Sequence, residues 1–325
     1  MRGRTVADYD LVTFGETMIR LSTPLGQRLE TAPALDAGIG GAESNVAVAL
    51  ARLGRRVAWF SVLPRNAFGR RIASELRRHG VDEGFIHWQE HGRVGVYYLD
   101  TGSPPRPTHV LYDRAGSTLA SCEPDTIATT LPSRARLLHL TGITPALSPS
   151  AAEIARRLAA SAAEAGVPLS FDVNYRALLW QPEEAAERLA PFCAAAGILF
   201  CGRADARTLW GLDGDDEAVL RALAGRFGAA VTVLTLGEQG ALALTRDGQL
   251  LRQPGVPVAV VDRVGAGDAF AAGFLHGYLD GDLPAALRLG VSLAALKMTI
   301  HGDLSLINGQ ELAAWSDPHG RGIIR

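Results

Sequence analysis

Cysteine is scarce in this chain of 325 residues. The three present, Cys122, Cys193 and Cys201, are odd in number and lack metal-site spacing. Neither a disulfide framework nor a cysteine-ligated metal is expected, and the thiols read as reduced and buried in a cytoplasmic protein. Net charge is nearly absent too: 32 basic against 34 acidic residues leave −2. So even a balance gives no electrostatic footprint for nucleic acid or an anionic membrane. An anionic ligand would have to be held by local devices, such as helix ends, glycine loops and single arginines. Long apolar runs are missing as well. The longest, around Leu189–Phe200, is interrupted by Pro191 and is too short to span a bilayer. Met1–Asp10 carries Arg2 and Arg4 without an apolar stretch behind them, so no secretory signal is expected. There is no internal repeat, low-complexity tract or interdomain linker, and no Gly-x-Gly-x-x-Gly follows the first predicted strand, which argues against a dinucleotide-binding dehydrogenase. What remains is a globular composition, 47% hydrophobic and 20% charged, at a length for one large α/β domain or two small ones. A single domain over 1–325 is expected.

The stretch around which the chain is organised is Val261–Phe270, Val-Asp-Arg-Val-Gly-Ala-Gly-Asp-Ala-Phe. The apolar run Val256–Val261 before it reads as a strand, and Ala269–Leu279 after it has helical spacing. Gly265, Ala266 and Gly267 are small enough for backbone N–H groups to crowd an anion at a helix start, where the helix dipole also favours negative charge. Asp268 stands in the first turn. A carboxylate beside a phosphate cradle makes sense if it takes a proton from a hydroxyl attacking that phosphate. On spacing alone, a plain structural turn with Asp268 as a dipole partner fits equally well.

Leu11–Phe14 and the alternating Met18–Ser22 read as strands, with Leu29–Ala37 extended. Gly38–Asn45 reads as a glycine turn running into a helix over Val46–Leu53. Val57–Val62 reads as a strand and Phe68–His79 as a basic amphipathic helix. Val94–Asp100 and His109–Asp113, parted by Gly102-Ser103-Pro104-Pro105, have a hairpin signature. With the early extended segment they predict a small antiparallel sheet over approximately 18–38 and 93–120. From Leu137 onward strands and helices alternate, which predicts a parallel sheet with helices on both faces and ligands at the carboxyl ends of its strands.

At this point the residues resemble a known family. Gly40-Gly41-Ala42-Glu43-Ser44-Asn45-Val46-Ala47, with Ala51-Arg52-Leu53-Gly54, is similar to the N-terminal signature of the ribokinase (PfkB) family of sugar kinases. Asp262–Phe270 is similar to its C-terminal signature. Phe14-Gly15-Glu16, Leu138–Ser148 and Asp172–Trp180 resemble the 2-keto-3-deoxygluconate kinase branch. The resemblance runs from Leu11 to about Asn308. It implies a ribokinase-like α/β three-layer sandwich with a small antiparallel β lid, and ATP-dependent phosphorylation of a terminal hydroxyl with Mg2+. It implies Asp268 as the base and Gly265, Ala266 and Gly267 as the anion hole. Gly41, Asn45, Tyr97, Tyr112, Arg114, Arg176 and Asp303 match sugar-side positions, the two arginines suiting a sugar carboxylate because a guanidinium can bond both oxygens. Thr235, Gly237 and Gly240 match the ATP side. The implied partners are a sugar acid and ATP, without nucleic acid or membrane, and a homo-oligomer formed through the lid.

The chain also departs from the family's pattern. Gly202-Arg203-Ala204-Asp205 stands where an Asn/Ser-x-x-Glu segment linked to magnesium is usual, which leaves the metal ligands unknown. Asp113 replaces a tyrosine, and facing inward it would repel an acid. Thr118 and Val291 also differ from the family's usual residues. A neutral-sugar kinase of fructokinase or ribokinase type, or a non-catalytic sugar-sensing homologue, are the competing expectations.

Overall fold

In the computed structural model, which describes residues 7–102 and 105–316, the short apolar runs pair into one eight-stranded sheet. Its members are β1 (Leu11–Phe14), β4 (Val57–Phe60), β9 (Leu138–Thr141), β10 (Leu169–Asp172), β11 (Ile198–Gly202), β12 (Val231–Thr235), β13 (Gly240–Thr245) and β14 (Leu250–Pro254). Their order is β14-β13-β12-β11-β10-β9-β1-β4. The six strands from β4 to β12 are parallel, and β13 and β14 close the far edge antiparallel, so the sheet is mixed rather than purely parallel. A tight turn joins β12 to β13, and only antiparallel strands can be joined that way.

Side-chain alternation explains why helices cover both faces. Ile198 and Phe200 of β11 pack into one core, and Leu199 and Cys201 into the other. The first core is closed by α1 (Ala42–Arg52), α2 (Ala67–Arg78), α8 (Ala266–Leu279), α9 (Leu283–Lys297) and α10 (Gly309–Ser316). The second takes α4 (Pro149–Glu164), α5 (Pro182–Ala195), α6 (Arg203–Trp210) and α7 (Asp216–Phe227), while the one-turn α3 (Ile143–Ala146) precedes α4. α8 is apolar on nearly every side because it is wedged between the sheet, α1 and α9. The three cysteines are buried and free. Among the described residues no helix is long and apolar enough to cross a membrane.

A second sheet stands apart from the first: β2 (Met18–Ser22), β3 (Asp36–Gly40), β7 (Val96–Asp100) and β8 (His109–Asp113), in the order β3-β2-β7-β8. It is not wholly antiparallel as expected. β2 pairs with β3 and β7 with β8 antiparallel, but β2 and β7 are parallel, because each is the first strand of its own hairpin and the two hairpins lie side by side. Ser103 and Pro104 of the expected turn lie outside the described residues.

Other segments also differ from expectation. Val256–Val261 is not a strand. Pro257 has no N–H to give a ladder, β14 already holds the sheet edge, and Val256, Val258 and Val260 instead wall a cavity. Gly38–Gly40 belongs to β3, so the turn shrinks to Gly41 and α1 starts at Ala42. The expected strand Val57–Val62 breaks at Ser61, whose hydroxyl donates to the Gly15 carbonyl, and β5 (Val62–Pro64) then pairs with an unforeseen β6 (His87–Gln89). Leu29–Ala37 turns rather than extends until β3 begins. α6, α10 and β14 were not expected.

Candidate active site

Three neighbouring parallel strands end close together, and their last residues line one place. Asp172 ends β10, Gly202 ends β11, and Thr235 ends β12, all beneath the second sheet. Together with α8 and the second sheet they enclose a cavity of about 450 Å³. Its wall carries Gly41, Asn45, Tyr97, Tyr112, Arg114, Arg176, Asp303, Gly265, Ala266, Gly267, Asp268 and Thr235. A second cavity of about 590 Å³ opens beside it, lined by Thr235, Gly237, Gly240, Val256, Val258, Val260, Phe270, Val291 and Met298 among others. Thr235, Arg263, Ala266 and Gly267 belong to both walls, so the two cavities meet at the start of α8. Every residue picked from the sequence therefore falls on one of two adjoining hollows.

The turn into α8 needs its first glycine. Gly265 has φ 83°, a left-handed backbone, and a Cβ there would collide with the Asp303 carbonyl. Of the three expected cradle amides, the Ala266 N–H is already bonded to the Arg263 carbonyl at 3.2 Å. A helix start leaves its first N–H groups without partners inside the helix, and here they face the junction of the cavities. Asp268 is buried one turn in, and Asn45 Nδ2 donates to its Oδ2 at 2.7 Å. Burial pushes the Asp268 carboxyl up to about 6, against the pull of that hydrogen bond and of Arg176. Asn45 thus grips the carboxylate, while its Oδ1 accepts the Gly41 N–H at 3.3 Å.

Two more carboxylates line the same cavity. Asp172 is pushed up to about 8, by burial first and then by Asp268 and Asp205. Asp205 is also raised by burial, and its Oδ2 accepts the Tyr175 N–H at 3.3 Å. Asn174, between them in sequence, is the one non-glycine residue of positive φ among the described residues, and its N–H bonds Asp172 Oδ1 at 3.2 Å. Asp172 and Asn174 stand in the segment Asp172–Trp180, of which Arg176 alone is given a site role from the sequence, because nothing in the residue types shows which side of a strand end faces a cavity. Among the described residues, no three His, Cys, Asp or Glu side chains are gathered into a metal cage.

The cations in the wall are not equivalent. Arg114 places Nε and Nη2 on Glu16 Oε2 at 2.9 and 2.5 Å, and the Ser117 hydroxyl donates to the other oxygen of Glu16. Its charge is thereby matched by a buried carboxylate that sequence reasoning missed. Arg263 pairs with Glu238. Arg176 makes no ion pair among the described residues. Asp303 is buried and bonds Arg20 Nη1 at 2.5 Å, while Arg20 Nη2 holds Asp262 at 2.5 Å. Tyr97 is buried beside Asp303, and burial and that carboxylate raise its hydroxyl well above the ordinary value. Its ring lies 5.9 Å from that of the half-exposed Tyr112. Asp113 does not face inward: it is exposed and paired with Arg93 at 2.7 Å, so it adds no repulsion to the cavity.

The arrangement joins a carboxylate able to take a proton near neutral pH to a helix start able to bind an anion, at the meeting of two cavities. Known proteins resemble the chain over nearly its whole length. Residues 8–308 match the sequence profile described as pfkB family carbohydrate kinase. The chain is 43% identical over 304 residues to the 2-dehydro-3-deoxygalactonokinase of Haloferax volcanii, covering 93% of this chain and 95% of the relative. It is 32% identical over 314 residues to the 2-dehydro-3-deoxygluconokinase of Bacillus subtilis, covering 94% of each. The crystal structure of 2-dehydro-3-deoxygluconokinase from Thermotoga maritima superposes with a TM-score of 0.88 at 31% identity, over 94% of this chain and 97% of that one.

Proposed function

This chain belongs to the pfkB family of carbohydrate kinases, and on that premise we propose that it phosphorylates the terminal hydroxyl of 2-keto-3-deoxygluconate with ATP. The observation that carries the acid substrate is Arg176. Of the three arginines on the sugar-side wall it alone makes no direct ion pair among the described residues, although its charge acts on Asp172, Asp205 and Asp268, and its guanidinium is open to a sugar carboxylate. The galactonate epimer is a second reading, favoured by the 43% identity to a kinase of that name. Asp113 no longer argues for a neutral sugar, since it pairs with Arg93 outside the cavity.

In this reading the sugar lies under the second sheet, between Gly41, Tyr97 and Arg176, and ATP lies along the apolar cavity with its phosphates at the start of α8. Asp268, held by Asn45, accepts the hydroxyl proton as that oxygen attacks the terminal phosphorus. The N–H groups at the start of α8 meet the charge that develops on the transferring group. The residues present suit a magnesium ion bound mainly by phosphate and water. Asp172 and Asp205 line the same cavity as Asp268, both raised first by burial and Asp172 also by its two acidic neighbours, and a divalent cation there would favour their ionised forms. Those two side chains would hold it, and its chemistry there is neutralisation of the phosphates.

The test is a coupled ATP-consumption assay over both 2-keto-3-deoxy acids, fructose and ribose, repeated with Arg176→Ala. The acids should be preferred, and the variant should lose at least roughly tenfold in kcat/KM on the acids but little on the neutral sugars. Equal losses on acid and neutral sugars would remove the carboxylate role. Preference for a neutral sugar would replace the substrate.

A further inference from the structure

The nucleotide-side cavity is mostly apolar, and a triphosphate needs positive charge that this wall scarcely offers. Arg263 is its one cation among the described residues. Arg263 also lines the sugar-side cavity, so it stands where a phosphoryl group passes from one hollow to the other. Of the residues that line both hollows, Thr235, Arg263, Ala266 and Gly267, Arg263 alone is charged, and on the sugar side Asp172, Asp205 and Asp268 stand against the single guanidinium of Arg176. The helix start is partly committed as well, with the Ala266 N–H bonded to the carbonyl of Arg263 itself. The Arg263 side chain is not locked in place. It is 61% exposed, and Nη2 bonds Glu238 Oε1 at 2.7 Å, on a glutamate whose side chain is 75% exposed. Glu238 sits in the turn Gly237–Gln239 between β12 and β13 and lines the same cavity.

We propose that Arg263 is a catalytic residue whose guanidinium leaves Glu238 for the terminal phosphate of ATP, and that Glu238 is the anion it exchanges. The proposal rests on the kinase reading above. An exposed ion pair holds weakly, whereas a guanidinium fork on phosphate makes two charge-assisted bonds, so the exchange runs toward the nucleotide. In the transfer, the bond between the sugar oxygen and phosphorus forms, the bond from phosphorus to the oxygen of the departing ADP breaks, and the hydroxyl proton passes to Asp268. Arg263 stays protonated throughout and offsets the charge spread over the phosphoryl oxygens.

Steady-state kinetics and calorimetry with ATP and with ADP, on Arg263→Met, Arg263→Lys, Glu238→Gln and the double variant, test this. Arg263→Met should lower kcat roughly a hundredfold and weaken ATP more than ADP, with Arg263→Lys recovering part of both. Glu238→Gln should tighten ATP about two- to fivefold when Arg263 is present and not at all in the Arg263→Met background. Both side chains are exposed, so melting midpoints should stay near that of the wild type. A kcat within about twofold of wild type in Arg263→Met, or an equal tightening by Glu238→Gln in both backgrounds, would overturn the proposal. If the wild type binds ATP but turns over no sugar, the sugar-kinase reading falls, while the affinity cycle still decides whether Glu238 and phosphate compete for Arg263.

Discussion

As the proposed base, Asp268 would work only when ionised, and its surroundings make ionisation a pH-dependent event near neutrality. Its carboxyl is raised from 3.8 to about 6 in the folded chain, chiefly by burial. The active form is therefore present above about 6 and lost as pH falls through that value, so log kcat/KM should climb with pH and level off above it. Asn45→Ala removes a hydrogen bond that favours the carboxylate, which should move this acid limb to higher pH. Asp268→Asn should cost roughly 10²- to 10⁴-fold in kcat while ATP affinity holds, as calorimetry would show. An unmoved pH limb in Asn45→Ala, or near-normal turnover in Asp268→Asn, would contradict the assigned role. The place was legible in the chain, because Gly265–Asp268 are neighbours, but their types alone left a plain structural turn open beside an anion site with a base. The grip of Asn45 was not, because it reaches Asp268 across 223 positions, and neither was the match of Glu16 to Arg114 across 98. Residue types name a charge, but only the fold names its partner.

At the scale of elements, period-2 and period-3.6 patterns placed most strands and helices, because burial on one face or one stripe leaves that mark. The pattern misled where apolar residues serve something other than a core. Val256–Val261 looks like a strand because it is apolar and β-branched, yet it walls the nucleotide-side cavity. Two glycines inside helices show the same limit, since composition treats them alike and packing does not. Gly277 of α8 lies against α9 so closely that a Cβ would stand 2.6 Å from the Ala286 Cα, a backbone atom that cannot swing aside. Gly277→Ala should destabilise by about 1–3 kcal/mol through overpacking, and that outweighs the gain of up to ~1 kcal/mol in helix propensity. Gly225 of α7 has open space around it, so Gly225→Ala should instead stabilise by about 0.5–1 kcal/mol. Denaturant unfolding of the two variants should move in opposite directions. A stabilised Gly277→Ala would mean that α8 and α9 have slack, and the tight seam that positions the start of α8 would lose its support.

Across the whole molecule, one buried arginine joins the second sheet to the body that carries the site. Arg20 leaves β2 and bonds Asp262 and Asp303, which lie 242 and 283 positions further on and flank the start of α8. Asp262 in turn accepts the Val264 and Gly302 N–H groups, and the Lys297 ammonium, fully buried, holds the Asp262 carbonyl at 3.0 Å. The cover over the cavity of about 450 Å³ and the start of α8 are thus parts of one charged network. Arg20→Met would keep the side-chain bulk and leave both carboxylates short of their partner. Removing one member of a buried pair costs about 3–5 kcal/mol, because the charge left behind stays desolvated. That cost should depend on pH with a definite sign. Burial already raises Asp303 above its ordinary 3.8, and Arg20 is the main group holding it down. Without Arg20 the folded value rises further, so the folded state binds a proton that the unfolded state releases, and stability falls as pH rises between those two values. Denaturant unfolding at about pH 5 and pH 8, both above the unfolded carboxyl value of ~3.9, should show the larger loss at the higher pH. A loss equal at both would mean that Arg20 contributes packing rather than charge, and the coupling between cover and helix start would then have no electrostatic basis.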